Sequence, residues 1–489
     1  MSITTIAGIE WIPSSSTINT ILTQEKLTEA LWIVIVGFII GLFLAFFIGA
    51  NDAANSFGTS YGAKALTIHQ ICILGSIFET LGAMLLGAGV SETIRSGIID
   101  VSLYEGQETV LMLGQVSALI GSSIWLVIAT VVRLPVSGTH SIVGAVIGYH
   151  VVVFGLEGIQ WSELGKIVIS WFTSPVLSGL LSIFFFYILL KTVLLKDNPL
   201  EPGLKSLPVW YSLVITVNFF SIFYNTSGVF EGIIPLYGVF ILSFGSGILA
   251  GLIVFCVLVP RLRNKIQEMV PIMFHADSNE ITDIQKNTND ETSQDEQRQS
   301  RVAADDECVD ESATLCRDDH PIVVQLCSPL LILSAVFSSF SHGGNDVSNA
   351  IGPVISIWVT YETGEVDTAV ETPLWILFLG GVAISLGLWL LGKRVIQVLG
   401  EEITMLTPSS SFTIELGSAL TVLTASNLGI PISTTHCKVG SIVAVGSFRS
   451  GTSSVDWSLF RNIAISWFLT VPTCLIFSAV SMELLMFTV

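Results

Sequence analysis

Charge is what this sequence has least of. Only 12% of its 489 residues are Asp, Glu, Lys or Arg, against roughly 25% in an ordinary soluble domain, while 51% are apolar. That balance excludes a soluble globular fold and points to a chain that lives in lipid. Cysteines are few and poorly placed for bridging: seven, an odd number, with no CxxC pair, so neither a disulfide framework nor a zinc site is expected. The first thirty residues lack a basic region ahead of their short apolar run, which argues against a cleaved signal peptide. No nucleotide loop, metal-ligand cluster or nucleophile–base pair stands out, so an enzyme, a bound cofactor and a nucleic-acid partner are all unexpected.

What is present is a dense series of apolar stretches, each near the length of about 20 residues that crosses a bilayer. They predict an all-α polytopic membrane protein with about twelve spans, near residues 31–50, 68–89, 109–131, 138–155, 166–190, 208–224, 236–259, 328–347, 374–392, 411–427, 436–448 and 461–485. The fourth and eleventh are short enough to be re-entrant pieces of broken helices. Residues 266–320 hold 15 of the acidic residues behind the net charge of −19, and this composition reads as a solvated, disordered loop. The expected organisation is an extracellular N-terminal segment (1–30), a first membrane repeat (31–190), two linking helices (191–259), an acidic cytoplasmic loop (260–326) and a second, inverted repeat (327–489). If the cluster Arg261, Arg263 and Lys265 is cytoplasmic, 16 of the 20 basic residues fall on that side and only Lys26, Arg95 and Lys166 fall outside, as positive residues are retained inside. Both termini are then extracellular, and Asn225 in Asn-Thr-Ser becomes a candidate glycosylation site.

The chain repeats itself. "GANDAANSFG" (49–58) returns as "GGNDVSNAIG" (343–352), and "LPVSGTHSIVG" (134–144) as "IPISTTHCKVG" (430–440). Seven spans separate the copies, an odd number, so the second copy should run upside down and a substrate site should lie between the copies near the bilayer midplane.

Asn51, Asp52 and Asn55, with their counterparts Asn345, Asp346 and Asn349, are costly groups in hydrocarbon. A single such set caps or locks helices as often as it binds anything; the duplication favours a site. Carboxylate, amide and carbonyl oxygens suit a hard cation such as sodium. Ser137-Gly138-Thr139-His140 and Ser433-Thr434-Thr435-His436 each start a helix, and two such N-termini facing one another make an anion cradle. The two histidines read as packing residues. Basic side chains are nearly absent from the membrane part, with Lys438 the clear exception, and the bland reading of Lys438 is a snorkelling residue. An oxyanion beside Asp52 and Asp346 therefore requires accompanying cations; the residues alone do not separate phosphate from sulfate. Glu415 is a further candidate cation ligand, with Gln115 its expected counterpart in the first copy. Glu79 aligns with Ile384 and breaks the symmetry; it is a candidate coupling residue, as is Gln115.

At "GANDAANSFGT" and "GGNDVSNAIGP", and across "SIFETLGAMLLGAGVSETIRSGIID", "RLPVSGTH" and "FTIELGSALTVLTASNLGIPISTTHCKVGSIVAVG", the sequence resembles the inorganic phosphate transporter (PiT) family. The resemblance implies sodium-coupled phosphate symport in the plasma membrane by a homodimer. Phosphate would lie on the two Ser-x-Thr segments with Asn51 and Asn345 nearby, sodium near Asp52 and Asp346, and Glu79 and Glu415 would be functional glutamates. A proton-coupled symporter and a phosphate-binding receptor that moves nothing are the alternatives.

Overall fold

The computed structural model describes residues 30–224, 234–269, 319–366 and 372–488; the N-terminal segment, Asn225 and the bulk of the acidic loop lie outside the described residues. Twelve long helices account for most of them: α1 (Leu31–Gly62, with a hitch at Ala53), α2 (Ile68–Gly97), α3 (Glu108–Val131), α4 (Gly138–Phe154), α5 (Trp161–Leu194), α6 (Leu200–Tyr224), α7 (Leu236–Met269), α8 (Pro321–Thr363), α9 (Leu374–Glu402), α10 (Pro408–Asn427), α11 (Thr434–Ser450) and α12 (Trp457–Met486). Nine are long and apolar enough to cross a membrane. The other three, α4, α10 and α11, are shorter or richer in Ser and Thr.

Several helices run past the expected spans, α7 and α8 at the ends that flank the acidic segment. At 1.5 Å per residue α7 is about 51 Å long and α8 about 65 Å, against a hydrocarbon core of about 30 Å. Both ends of the segment expected to be a loop, 260–326, are thus helical. The α7 tail stays folded because Leu262 and Ile266 are buried, Arg263 pairs with Glu201 on α6 at 2.9 Å, and Lys265 donates to Gln325 on α8 at 3.1 Å.

The outer surface is apolar, as a hydrocarbon surround requires: Phe172, Val176 and Leu180 on α5 and Phe240, Phe244 and Ile248 on α7 face outward, while many serines, threonines and asparagines are buried among the apolar side chains of the interior.

Equivalent helices of the two copies make equivalent contacts: α1 packs on α9 as α8 packs on α2, α4 on α12 as α11 on α5, and α3 on α12 as α10 on α5. Each copy therefore leans on the other as well as on itself. Glycine makes the crossing possible at two matched points. A Cβ on Gly49 would fall 2.0 Å from the Ile384 carbonyl oxygen, and one on Gly343 would fall 2.0 Å from that of Glu79, so only Gly lets these backbones touch. The helices α6 and α7 pack mainly on each other at the edge of the bundle.

Candidate functional site

Two extended stretches break the helical pattern, between α3 and α4 and between α10 and α11. Pro135 and Pro431 favour extended backbone just before them, and Ser137 and Ser433 then start the next helices as N-caps, each accepting from the His amide three residues on at 3.2 Å. The two stretches meet reciprocally. Thr139 Oγ1 donates to the Ile432 carbonyl at 2.9 Å, and Thr435 Oγ1 donates to the Val136 carbonyl at 3.0 Å.

The Asn-Asp segments of α1 and α8 sit against this junction. Asn55 Nδ2 donates to Thr435 Oγ1 at 2.9 Å, and Asn349 Nδ2 to Thr139 Oγ1 at 3.1 Å, so each asparagine reaches the turn of the opposite copy. Asn349 also donates to Asp346 Oδ1 at 3.0 Å. Asn51 acts as a brace: its amide donates to the Leu134 carbonyl at 2.9 Å and to Thr130 Oγ1 at 3.3 Å, and its oxygen accepts from the Val136 amide. Asn345 holds the Ile432 carbonyl at 2.8 Å.

The cradles expected to receive an oxyanion hold the chain's own carboxylates. Thr434 Oγ1 donates to Asp346 Oδ2 at 2.6 Å. Gly138, at the first position of α4, lies so close to Asp52 that a Cβ there would be 3.2 Å from Oδ2. One ligand atom each from Asp52, Asp346 and His342 lies within 4.8 Å of the others, and at an effective dielectric of about 20 two carboxylate charges at that distance repel by about 3.5 kcal/mol. Buried oxygens without a partner cluster here: Asp52 Oδ2, Asn55 Oδ1, Asn345 Oδ1 and Asn349 Oδ1. The carboxylate and amide oxygens of this set suit a hard monovalent cation, with one imidazole, that of His342, beside them.

His342, not singled out in the sequence, is part of this centre. Its Nε2 lies 3.0 Å from Asp346 Oδ2 and its Nδ1 3.2 Å from Glu79 Oε1, which ties Glu79 to the site. The available signal was its position one turn before Asp346, on the face that Asp346 occupies. The matching position in the first copy is Ile48, just as Glu79 matches Ile384.

Glu415 lies outside the set of Asp52, His342 and Asp346. Its Oε2 lies 2.6 Å from Lys438 Nζ and its Oε1 accepts from Thr59 Oγ1, so both oxygens are engaged. Lys438 is 1% exposed and does not snorkel. Gln115, expected as the counterpart of Glu415 with one extra helical turn in the first copy, is displaced by that turn. Gly121 of α3 packs on Ser478 and Gly417 of α10 on Ser182, each pair 296 apart, and that register puts Leu119 where Glu415 stands. Gln115 lies a turn away and donates to the Tyr149 hydroxyl at 3.1 Å. His140 and His436 stack on Trp171 and Trp467 with ring centroids 4.0 and 3.8 Å apart, in keeping with a packing role.

Comparison with known proteins gives the family and the fold. Residues 48–478 match the family described as the phosphate transporter family. A relative from Danio rerio, sodium-dependent phosphate transporter 1-A, is 37% identical, with 95% of this chain and 96% of the relative covered. Sodium-dependent phosphate transporter 2 of Homo sapiens is 36% identical, with 94% and 98% covered. A solved structure described as the sodium-dependent phosphate transporter superposes with a TM-score of 0.76 at 35% identity, over 94% of this chain and all of that one.

Proposed function

This chain belongs to the phosphate transporter family, and from that premise we propose that it is a sodium-coupled symporter of inorganic phosphate whose two copies work by alternating access. The observation that carries the reading is the reciprocal meeting of the two helix N-termini over a pair of buried carboxylates. Sodium and phosphate have separate reasons to be there. Cations entering among Asp52, Asp346 and the unpartnered amide oxygens relieve the repulsion of the pair and draw the carboxylates off the helix starts. The freed amides of Gly138, Thr139, Thr434 and Thr435, with the hydroxyls of Ser137, Ser433 and the threonines, then cradle the anion at the positive ends of α4 and α11. Neither ligand is favoured without the other, which is what coupling requires.

Energetics point the same way. Moving one elementary charge against about 100 mV costs about 2.3 kcal/mol, so an anion entering a negative cell needs at least as much positive charge travelling with it. Asn51 and Asn345 hold the extended stretches and so shape the cradle. The bias of basic residues toward the face of Arg261 and Arg263 supports extracellular termini, a plasma-membrane setting suits sodium coupling, and the family likeness supports a homodimer.

A second reading has one observation in its favour: the chain of titratable groups from Glu79 through His342 to Asp346 is suited to carrying a proton. Labelled phosphate uptake into proteoliposomes, with external sodium replaced by choline, separates the two. Sodium coupling predicts that uptake stops; uptake that persists and follows the pH gradient would mean proton coupling, and binding without any uptake would mean a receptor.

A further inference from the structure

A second polar cavity opens beside the carboxylate centre, bounded by α1, α8, α10 and α11, with room of about 10 Å³ for roughly one water. Its position along the helices is defined. Ser338 and Ser341 precede His342 on α8, Ser56 follows Asn55 on α1, and Lys438 lies one turn into α11, so the cavity lies between Asp346 and the end of the bundle where α8 begins. That is the face carrying Arg261 and Arg263, cytoplasmic by the orientation proposed above.

The cavity shares Asn55, His342 and Thr434 with the carboxylate centre and adds Ser56, Ser338, Ser341, Ser418 and Lys438, with no carboxylate in its lining. Ser341 and Ser418 give their protons to backbone carbonyls, so the donors that bear on an anion here are chiefly the Ser56 hydroxyl and the Lys438 ammonium. The Ser56 hydroxyl is fully buried and has no partner. An ammonium carries three protons, and Glu415 takes one of them. A cation placed here would face Lys438 directly.

The matching positions of the first copy make the point independently. Ser56, Ser338, Ser341, His342 and Lys438 correspond to Ala350, Leu44, Phe47, Ile48 and Ile142, and of the serines compared only Ser418 keeps a hydroxyl in its mirror, Ser122. At the matched positions the opposite copy thus carries hydrocarbon where this cavity carries polar groups, a difference of sequence that holds in every conformation.

We propose that this cavity is a transient phosphate site, occupied between the central cradle and release at the basic face, with Lys438 as its charged contact. The proposal rests on the symport reading. In the present state the space is too small for phosphate, so the anion enters only when the second copy parts from α1.

The test uses full-length protein in vesicles of known sidedness, with inorganic phosphate offered separately at each face. Lys438→Gln should raise the half-saturation at the basic face about tenfold relative to that at the opposite face, as loss of a charged hydrogen bond implies, and Lys438→Arg should largely restore the ratio. Ser56→Ala with Ser338→Ala leaves the Glu415–Lys438 pair intact and should move the ratio in the same direction, which covers the case in which Lys438→Gln does not fold. An unchanged ratio in the serine variant, or equal shifts at both faces in Lys438→Gln, would overturn the proposal. A wild-type protein without sodium-dependent uptake would instead sink the symport reading itself.

Discussion

Replacing Asp52 by Asn removes a charge and little else. The amide fills the same volume, and its oxygen still accepts from Thr435 and Asn55. The side chain is 1% exposed, so solvent screens little of what is lost. At an effective dielectric of about 20, a sodium ion about 4 Å from a carboxylate gains about 4 kcal/mol, and at about 1.4 kcal/mol per decade its removal weakens sodium binding by two to three orders of magnitude. The same substitution relieves the repulsion between Asp52 and Asp346, which lie within 4.8 Å, so the folded state should be no less stable than before. The expected result is thus a split: in proteoliposomes the sodium half-saturation rises by about 100-fold or more and uptake falls to the choline background, while the melting temperature in detergent holds or rises. Asp346→Asn should lose transport likewise. Sodium-dependent uptake near the wild-type level in both variants, or a loss that tracks a fall in melting temperature, would show that the carboxylates only support the fold.

Ser137→Ala combined with Thr139→Val removes one cap and two inter-copy hydrogen bonds; the phosphate half-saturation should rise about 10- to 100-fold, the equivalent of losing one or two hydrogen bonds to a charged group, and an unchanged value in the uptake assay would remove this turn from the anion site. Gly343→Ala forces a methyl to 2.0 Å from the Glu79 carbonyl oxygen, so α2 and α8 must part; a loss of about 1–3 kcal/mol or more is expected, read as a lower melting temperature, whereas Gly165→Ala, with nothing within 4 Å of its Cβ, should melt as wild type.

Much of this architecture was legible because duplication leaves a trace that survives without coordinates. The Asn-Asp segments and the Ser-x-Thr turns could be paired by their spacing alone, and the physics of buried amides and helix N-termini said what they were for. The misses share a cause: each depends on a neighbour distant in sequence. His342 acquires meaning from Glu79, on a helix 263 positions earlier, and the engagement of both Glu415 oxygens by Lys438 and Thr59 could not be read from the sequence. The counterpart of Glu415 could not be fixed from similarity, since "GQVSALIG" and "IELGSALT" align by eye with a shifted turn; the glycines packed on Ser478 and Ser182 set the register. Helix ends were missed at α7 and α8 because ion pairs and buried tail residues hold them beyond the bilayer.

Those misses are also the places where the two copies differ, and that follows from the physics of a symmetric carrier. Two identical halves would offer an anion the same path to either face and leave direction entirely to the ion gradients. Here the shared parts, the paired carboxylates and the facing N-termini, occur twice and belong to the site both faces must reach. The unshared parts, Glu79 with His342 and Glu415 with Lys438, lie on the basic-face side of that site; Glu79 belongs to the first copy and the other three to the second, and their matches in the opposite copy are Ile384, Ile48, Leu119 and Ile142. Buried ion pairs are poor devices for stability, because desolvation offsets most of their attraction and hydrophobic replacements do as well or better. At each of these positions the opposite copy carries isoleucine or leucine. Charges present at only one of two matched positions, all on the same side of the site, point to a role on that side rather than to a contribution to stability.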